Sequence, residues 1–103
     1  MDLKQLSEAM QVFVSSKGWY QIDSLRPQTP RNIAISLSLE AAEVLEHFQW
    51  AENAQNPQEL AGELADVTLY LLQRARLTGI DLEQAVLTKL NRNYQRTWDQ
   101  GGE

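Results

Sequence analysis

Residues 39–50 read LEAAEVLEHFQW and residues 59–66 read ELAGELAD. Glu40 and Glu43 stand three apart in the first stretch, and Glu63 and Asp66 stand three apart in the second. In a helix, positions i and i+3 share a face about one turn apart, so each stretch aims a pair of carboxylates in one direction. Their company is apolar: Ile33, Leu37, Leu39, Val44, Leu45 and Phe48 around the first pair, Leu60, Leu64, Val67, Leu69, Leu71 and Leu72 around the second. Helices apolar over most of their circumference are expected to be buried on several sides. Ionised carboxylates are costly in such surroundings unless paired or bound to a metal. Two such pairs on consecutive helices, packed antiparallel across a short connection, therefore read as a cation site.

Two plainer accounts compete. The acids can form a solvated helix face, or they can pair with Arg31, Arg74, Arg76 or Arg92 as structural salt bridges. Salt bridges account for one or two acids more readily than for four. A cation held by carboxylates and water is hard, which points to Mg²⁺, with Mn²⁺ as the alternative. Zinc prefers histidine or cysteine, and the chain has one histidine and no cysteine. Di-iron bundles need two Glu-x-x-His motifs, whereas His47 follows Glu43 by four residues and has no twin. Ser36, Glu40, Glu43, His47 and Trp50 follow one another at three- or four-residue steps, and His47 is read as a packed or surface residue rather than a ligand.

The surrounding chain is 103 residues long, expected to form one domain over 1–103. Nine Lys and Arg against fourteen Asp and Glu give a net charge of −5, the wrong sign for a partner that is a nucleic-acid polymer. An anionic small molecule stays admissible if divalent cations bring it in. The absence of cysteine fits the cytoplasm. No apolar run is long enough to span a bilayer, and MDLKQLSEAM lacks the apolar core of a signal peptide, so no membrane partner is expected.

Periodicity predicts four helices and no strand, an all-α, four-helix bundle-like protomer. The first covers about Leu3 to Ser16, closed by Ser15, Ser16 and Gly18. The second starts at Thr29-Pro30 and is expected to reach about Trp50. The third starts at Asn56-Pro57, with Glu59 placed for a capping box, and runs to about Thr78 before Gly79. The fourth is capped by Asp81 and fades near Trp98, before a frayed tail. Between the first two helices lies the loop GWYQIDSLRPQTP, long for a small domain and read as a binding loop. So small a chain cannot cover two helices apolar nearly all round, so a homodimer or homotetramer is expected.

The paired acids, embedded in PRNIAISLSLEAAEVLEHFQW and ELAGELADVTLYLLQRA, resemble the MazG-type nucleoside triphosphate pyrophosphohydrolases of the all-α NTP pyrophosphatase superfamily. The resemblance covers roughly Trp19 to Arg96. With Pro30-Arg31-Asn32, Phe48-Gln49-Trp50 and Asp66-Val67-x-x-Tyr70, it is strongest to the small dCTP pyrophosphatases of that group. It implies that Glu40, Glu43, Glu63 and Asp66 bind Mg²⁺ and form the catalytic set. It also implies a nucleotide substrate cleaved between the α- and β-phosphates to a monophosphate and pyrophosphate, in a house-cleaning role. Glu43 and Glu46 are the candidates for the general base.

Lys89, Asn93 and Arg96 match the family's C-terminal signature, although Thr97-Trp98 stands where the family has Tyr-Pro. The resemblance makes Lys89 and Arg96 phosphate contacts and Asn93 a sugar or phosphate contact; the plainer account is that the basic residues complement a helix dipole. Trp19 and Trp50 match tryptophans that line the base pocket in the dCTP-preferring relatives, and Asn32, donor and acceptor at once, joins them as a pocket candidate. Between Trp19 and Pro30 the chain is longer than those relatives by several residues. Two rivals stand beside this reading. One is a non-catalytic helical interaction module; the other is phosphoribosyl-ATP hydrolysis, disfavoured by the small number of basic residues.

Overall fold

Each helix begins where a side chain can satisfy the free N–H groups of its first turn. The computed structural model describes residues 1–53 and 56–96, and over these it contains α1 (Leu3–Ser16), α2 (Pro30–Glu46), α3 (Pro57–Leu77) and α4 (Leu82–Tyr94), with no strand among the described residues. Asp2, Thr29, Asn56 and Asp81 are the four N-caps, each accepting a hydrogen bond from a backbone N–H of the first turn. Pro30 and Pro57 open α2 and α3, where a missing N–H costs nothing. Gly18 and Gly79 take φ of 70° and 73°, left-handed values that stop α1 and α3 and that glycine adopts without strain.

Two helix ends and two caps differ from expectation. α2 ends at Glu46, not near Trp50, and residues 47–50 continue as tighter turns in which Phe48 N–H donates to the Leu45 carbonyl at 2.9 Å. The capping box expected at Asn56 is half formed: Asn56 accepts from Glu59 N–H at 3.1 Å without the return bond. A complete box stands instead at Asp2–Gln5, with bonds of 2.8 and 2.9 Å. α4 ends at Tyr94, with Gln95 as its C-cap, short of the Trp98 expected; Trp98 and the tail beyond lie outside the described residues.

α2 and α3 run antiparallel as a hairpin, as their end contacts show. His47 at the end of α2 meets Glu63 early in α3, while Arg74 late in α3 donates to the Pro30 carbonyl at the start of α2. α1 lies along α3, where Met10, Val14 and Leu72 form the buried core, flanked by Leu3, Leu6, Trp19, Tyr20 and Leu82. Among the described helices, α4 packs against α1 and α3.

The expected burial of α2 and α3 on several sides is not achieved within one chain. Ile33 and Leu72 are sealed at 2 % exposure, yet Leu39 is 62 % and Leu45 69 % exposed. The radius of gyration is 16.6 Å, against about 13 Å for a compact chain of this length. The surface is 8003 Å², against about 5,900 Å² for a folded monomer of 11.8 kDa. Among the described residues no helix is long and apolar enough to cross a membrane.

Candidate active site

The hairpin turns the acid faces of α2 and α3 toward each other. Glu40 shows this most directly: its carboxyl is held above the usual carboxylate range, first by burial, then by the charge and hydrogen bonding of Glu43, then by the charges of Asp66 and Glu63. Glu43, Glu63 and Asp66 thus all act on Glu40. The Oε2 atom of Glu40 is buried and has no hydrogen-bond partner. Among the described residues, none of the four pairs with lysine or arginine; Glu63 pairs with His47, whose Nε2 lies 2.5 Å from Oε2. Arg74, one of the arginines available for neutralisation, ties α3 to the start of α2 instead.

What the cluster lacks is positive charge. Its donors are hard carboxylate oxygens, the kind that suits Mg²⁺ or Mn²⁺, and the unpartnered Glu40 Oε2 is an acceptor in want of a cation. The chemistry fits the ion. Among the described residues no three His, Asp or Glu side chains stand as a finished ligand set, so the acids are gathered without being closed into a coordination sphere.

Two clefts flank the acids. The larger, about 600 Å³, lies among α1, the following loop, α2 and α3, and its walls include Met10, Phe13, Trp19, Arg26, Tyr70 and Asp66. Phe13 meets Trp19 edge-on at 5.7 Å, and the Arg26 guanidinium lies 6.0 Å from the Trp19 ring. The volume falls within the usual range of small-ligand pockets, about 300–1,000 Å³. The smaller cleft, about 300 Å³, is walled by Glu43, Glu46, His47, Trp50 and Glu63, among others.

The expected site residues are thus distributed unevenly. Trp19 shares the large cleft with Asp66, whereas Trp50, 86 % exposed, shares the small one with Glu43 and Glu63. The two tryptophans do not meet in one pocket within one chain. Asn32 lines neither cleft; its Nδ2 donates to the Pro27 carbonyl at 2.9 Å and ties the loop to α2. Lys89, Asn93 and Arg96 also line neither cleft, and Arg96 donates to Asn93 Oδ1 at 3.5 Å. His47, read as packing, stands in the acid cleft on Glu63; its step in the series from Ser36 to Trp50 was the available signal. Arg26, Gln28 and Gln73 on the large cleft were missed, two of them because a loop has no periodicity to read.

The chain has counterparts among known proteins. Residues 35–102 match the model of the MazG-like family, and the chain belongs to that family. Its relatives include dCTP pyrophosphatase 1 of Rattus norvegicus, 34% identical over 93 residues that cover 82% of this chain and 52% of that protein. The Homo sapiens protein of the same name is 33% identical with the same coverage. The chain therefore spans about half the length of the curated relatives it matches. Among solved structures, a pyrophosphatase from Archaeoglobus fulgidus DSM 4304 is similar with a TM-score of 0.73 and 33% identity, over 89% of this chain and 88% of that one.

Proposed function

We propose that this chain is a Mg²⁺-dependent nucleoside triphosphate pyrophosphohydrolase, with Mn²⁺ as the alternative ion. It converts a (deoxy)nucleoside triphosphate, dCTP or a related pyrimidine nucleotide, to a monophosphate and pyrophosphate as a cytoplasmic house-cleaning activity. The observation that carries this is the aromatic cleft opening onto Asp66, a member of the four-acid cluster. The names of the relatives, dCTP pyrophosphatase and pyrophosphatase, support it.

Trp19 offers the base a flat apolar face in the large cleft. Glu40, Glu43, Glu63 and Asp66 would hold the metal. Mg²⁺ held there would offset the charge of carboxylates and triphosphate and would make a water easier to deprotonate. His47 fixes one oxygen of Glu63, which leaves Glu43 and Glu46 on the small cleft as the groups available to take the water's proton. Lys89, Asn93 and Arg96 contact phosphate, reaching it from a neighbouring subunit, since within their own chain they line neither cleft.

The second subunit is part of the same proposal. The exposed leucines of α2 and α3 and the excess surface are what a homodimer or homotetramer would cover.

The test is a panel of NTPs and dNTPs assayed for pyrophosphate release with Mg²⁺ and with excess chelator. Release from dCTP that stops with chelator is expected. No release from any nucleotide would leave a helical interaction module as the better account.

A further inference from the structure

A buried amide chain ends at the large cleft. Gln73 is 3 % exposed, the buried polar residue of the core, and it lines the cleft together with Gln28, Arg26 and Trp19. Its Nε2 donates to Gln28 Oε1 at 2.6 Å, and Gln28 Nε2 donates to the Arg26 carbonyl at 2.7 Å. A backbone carbonyl only accepts, so it fixes which end of the Gln28 amide faces it. Gln28 Oε1 must then face Gln73, and Gln73 must present its Nε2 to Gln28. The order of donors and acceptors is set from the loop inward, and the free end of the chain is Gln73 Oε1. That oxygen takes no protein donor among the described residues, and it is not sealed from solvent as Glu40 Oε2 is. A nearly buried side chain thus presents one oriented acceptor beside an aromatic wall.

We propose that Gln73, held by Gln28, is a specificity-determining residue that accepts a hydrogen bond from the exocyclic amino group of the bound base. The inference rests on the nucleotide pyrophosphohydrolase activity proposed above and deepens it. A base stacked on Trp19 with an amino group at this position is satisfied. The corresponding carbonyl of a uracil-type base would set acceptor against acceptor and leave both without a donor. The relay also gives the loop a role: Gln28 belongs to the segment between α1 and α2, and its carbonyl anchor is Arg26, whose guanidinium lies over Trp19. Base wall and base reader are therefore held by the same few residues.

The experiment compares dCTP with dUTP in the wild type, Gln73→Leu and Gln28→Ala. It measures kcat/KM for each nucleotide and, separately, calorimetric binding of their non-hydrolysable α,β-imido analogues with Mg²⁺. The wild type is expected to favour the cytosine nucleotide at least about tenfold, the scale of one hydrogen bond. In Gln73→Leu the preference should collapse toward unity in both binding and kcat/KM, mainly through loss on the cytosine side. Gln28→Ala leaves the α3 core intact and frees the Gln73 amide to turn, so it should shrink the ratio while both analogues still bind; this keeps the test alive if Gln73→Leu fails to fold. An unchanged ratio in Gln28→Ala, or in folded Gln73→Leu, overturns the role of Gln73, as does a wild type that turns over dCTP and dUTP equally; in these cases the pyrophosphohydrolase activity stands. A wild type that neither binds nor turns over any nucleotide overturns both proposals together.

Discussion

The imidazole of His47 and the carboxylate of Glu63, sixteen residues apart, meet at 2.5 Å and join the end of α2 to the first half of α3. Both side chains are substantially withdrawn from water, at 10 % and 25 % exposure. The contact both closes the hairpin and fixes a carboxylate of the acid cluster. His47→Leu is expected to lower the melting temperature by roughly 4–8 °C, from about 1 kcal/mol for the lost hydrogen bond in a chain of this size. Pyrophosphate release should fall more than stability does, because a misplaced Glu63 spoils the cluster. Thermal melts by circular dichroism, alongside the release assay, check both; unchanged activity in the folded variant would make the contact structural only.

Glu63→Gln separates charge from shape. The amide oxygen can still accept from His47, so the helical circular dichroism spectrum should be unchanged. The negative charge is gone, and turnover should be abolished. Retained pyrophosphate release in this variant would remove Glu63 from the site.

Glu40 gives a pH signature. Burial and three neighbouring acids raise its folded-state pKa above the usual carboxylate range. A raised carboxyl pKa means that the folded chain binds the proton more tightly than the unfolded chain. The stabilisation is therefore present below the unfolded value and is lost as pH rises through the folded one. Metal-free Glu40→Gln should accordingly melt above the wild type at pH 7, with the gap closing as pH falls through the raised folded value toward the ordinary carboxylate range. Added Mg²⁺ should raise the wild-type melting temperature and the variant's much less. Differential scanning calorimetry with and without chelator reads both, and a variant less stable than wild type at pH 7 would contradict burial and like charge as the origin of the shift.

Much of the fold was legible because the sequence marks its helix ends with residues of known physical use. Thr29-Pro30, Asn56-Pro57, Asp81 and the two positive-φ glycines delimit the helices within a residue or so. The end of α2 was not legible. Phe48 and Trp50 extend the apolar pattern past Glu46, while the chain there already turns toward α3 and His47 bonds Glu63. The acid pairs were legible from spacing, because i,i+3 geometry is local. The partnership of Gln28 with Gln73 spans 45 residues, and nothing local announces it. The distance of Lys89 and Asn93 from the clefts was hidden for the same reason: where α4 lies depends on packing, not on its own pattern.

Leu45 tests the second subunit. At 69 % exposure in one chain, Leu45→Glu should change stability by no more than about 0.5 kcal/mol if that face stays in water. If another copy covers it, the buried charge should split the oligomer and lower the melting temperature by much more. Sedimentation velocity of the wild type is expected to show a dimer or larger and Leu45→Glu a smaller species. A monomeric wild type with full activity would show that one chain suffices.

Trp19 and Trp50 occupy different clefts, and their substitutions should part accordingly. Trp19 is half-buried, edge-on to Phe13 and beneath Arg26, on the same cleft as Asp66. Stacking of a base on an aromatic ring contributes about 1–3 kcal/mol, so Trp19→Ala should raise KM for dCTP by roughly 5- to 150-fold. Trp19→Phe keeps a flat face and should recover much of that loss, whereas loss through misfolding would not follow ring area so closely. Trp50→Ala removes a side chain 86 % exposed and should leave the melting temperature of an isolated chain nearly unchanged. If the subunits pair so that Trp50 completes the base pocket, its removal should raise KM while stability stays level. Steady-state kinetics on the three variants, with melts as controls, decide which wall the base uses: equal KM for Trp19→Ala and wild type would move base binding away from the large cleft.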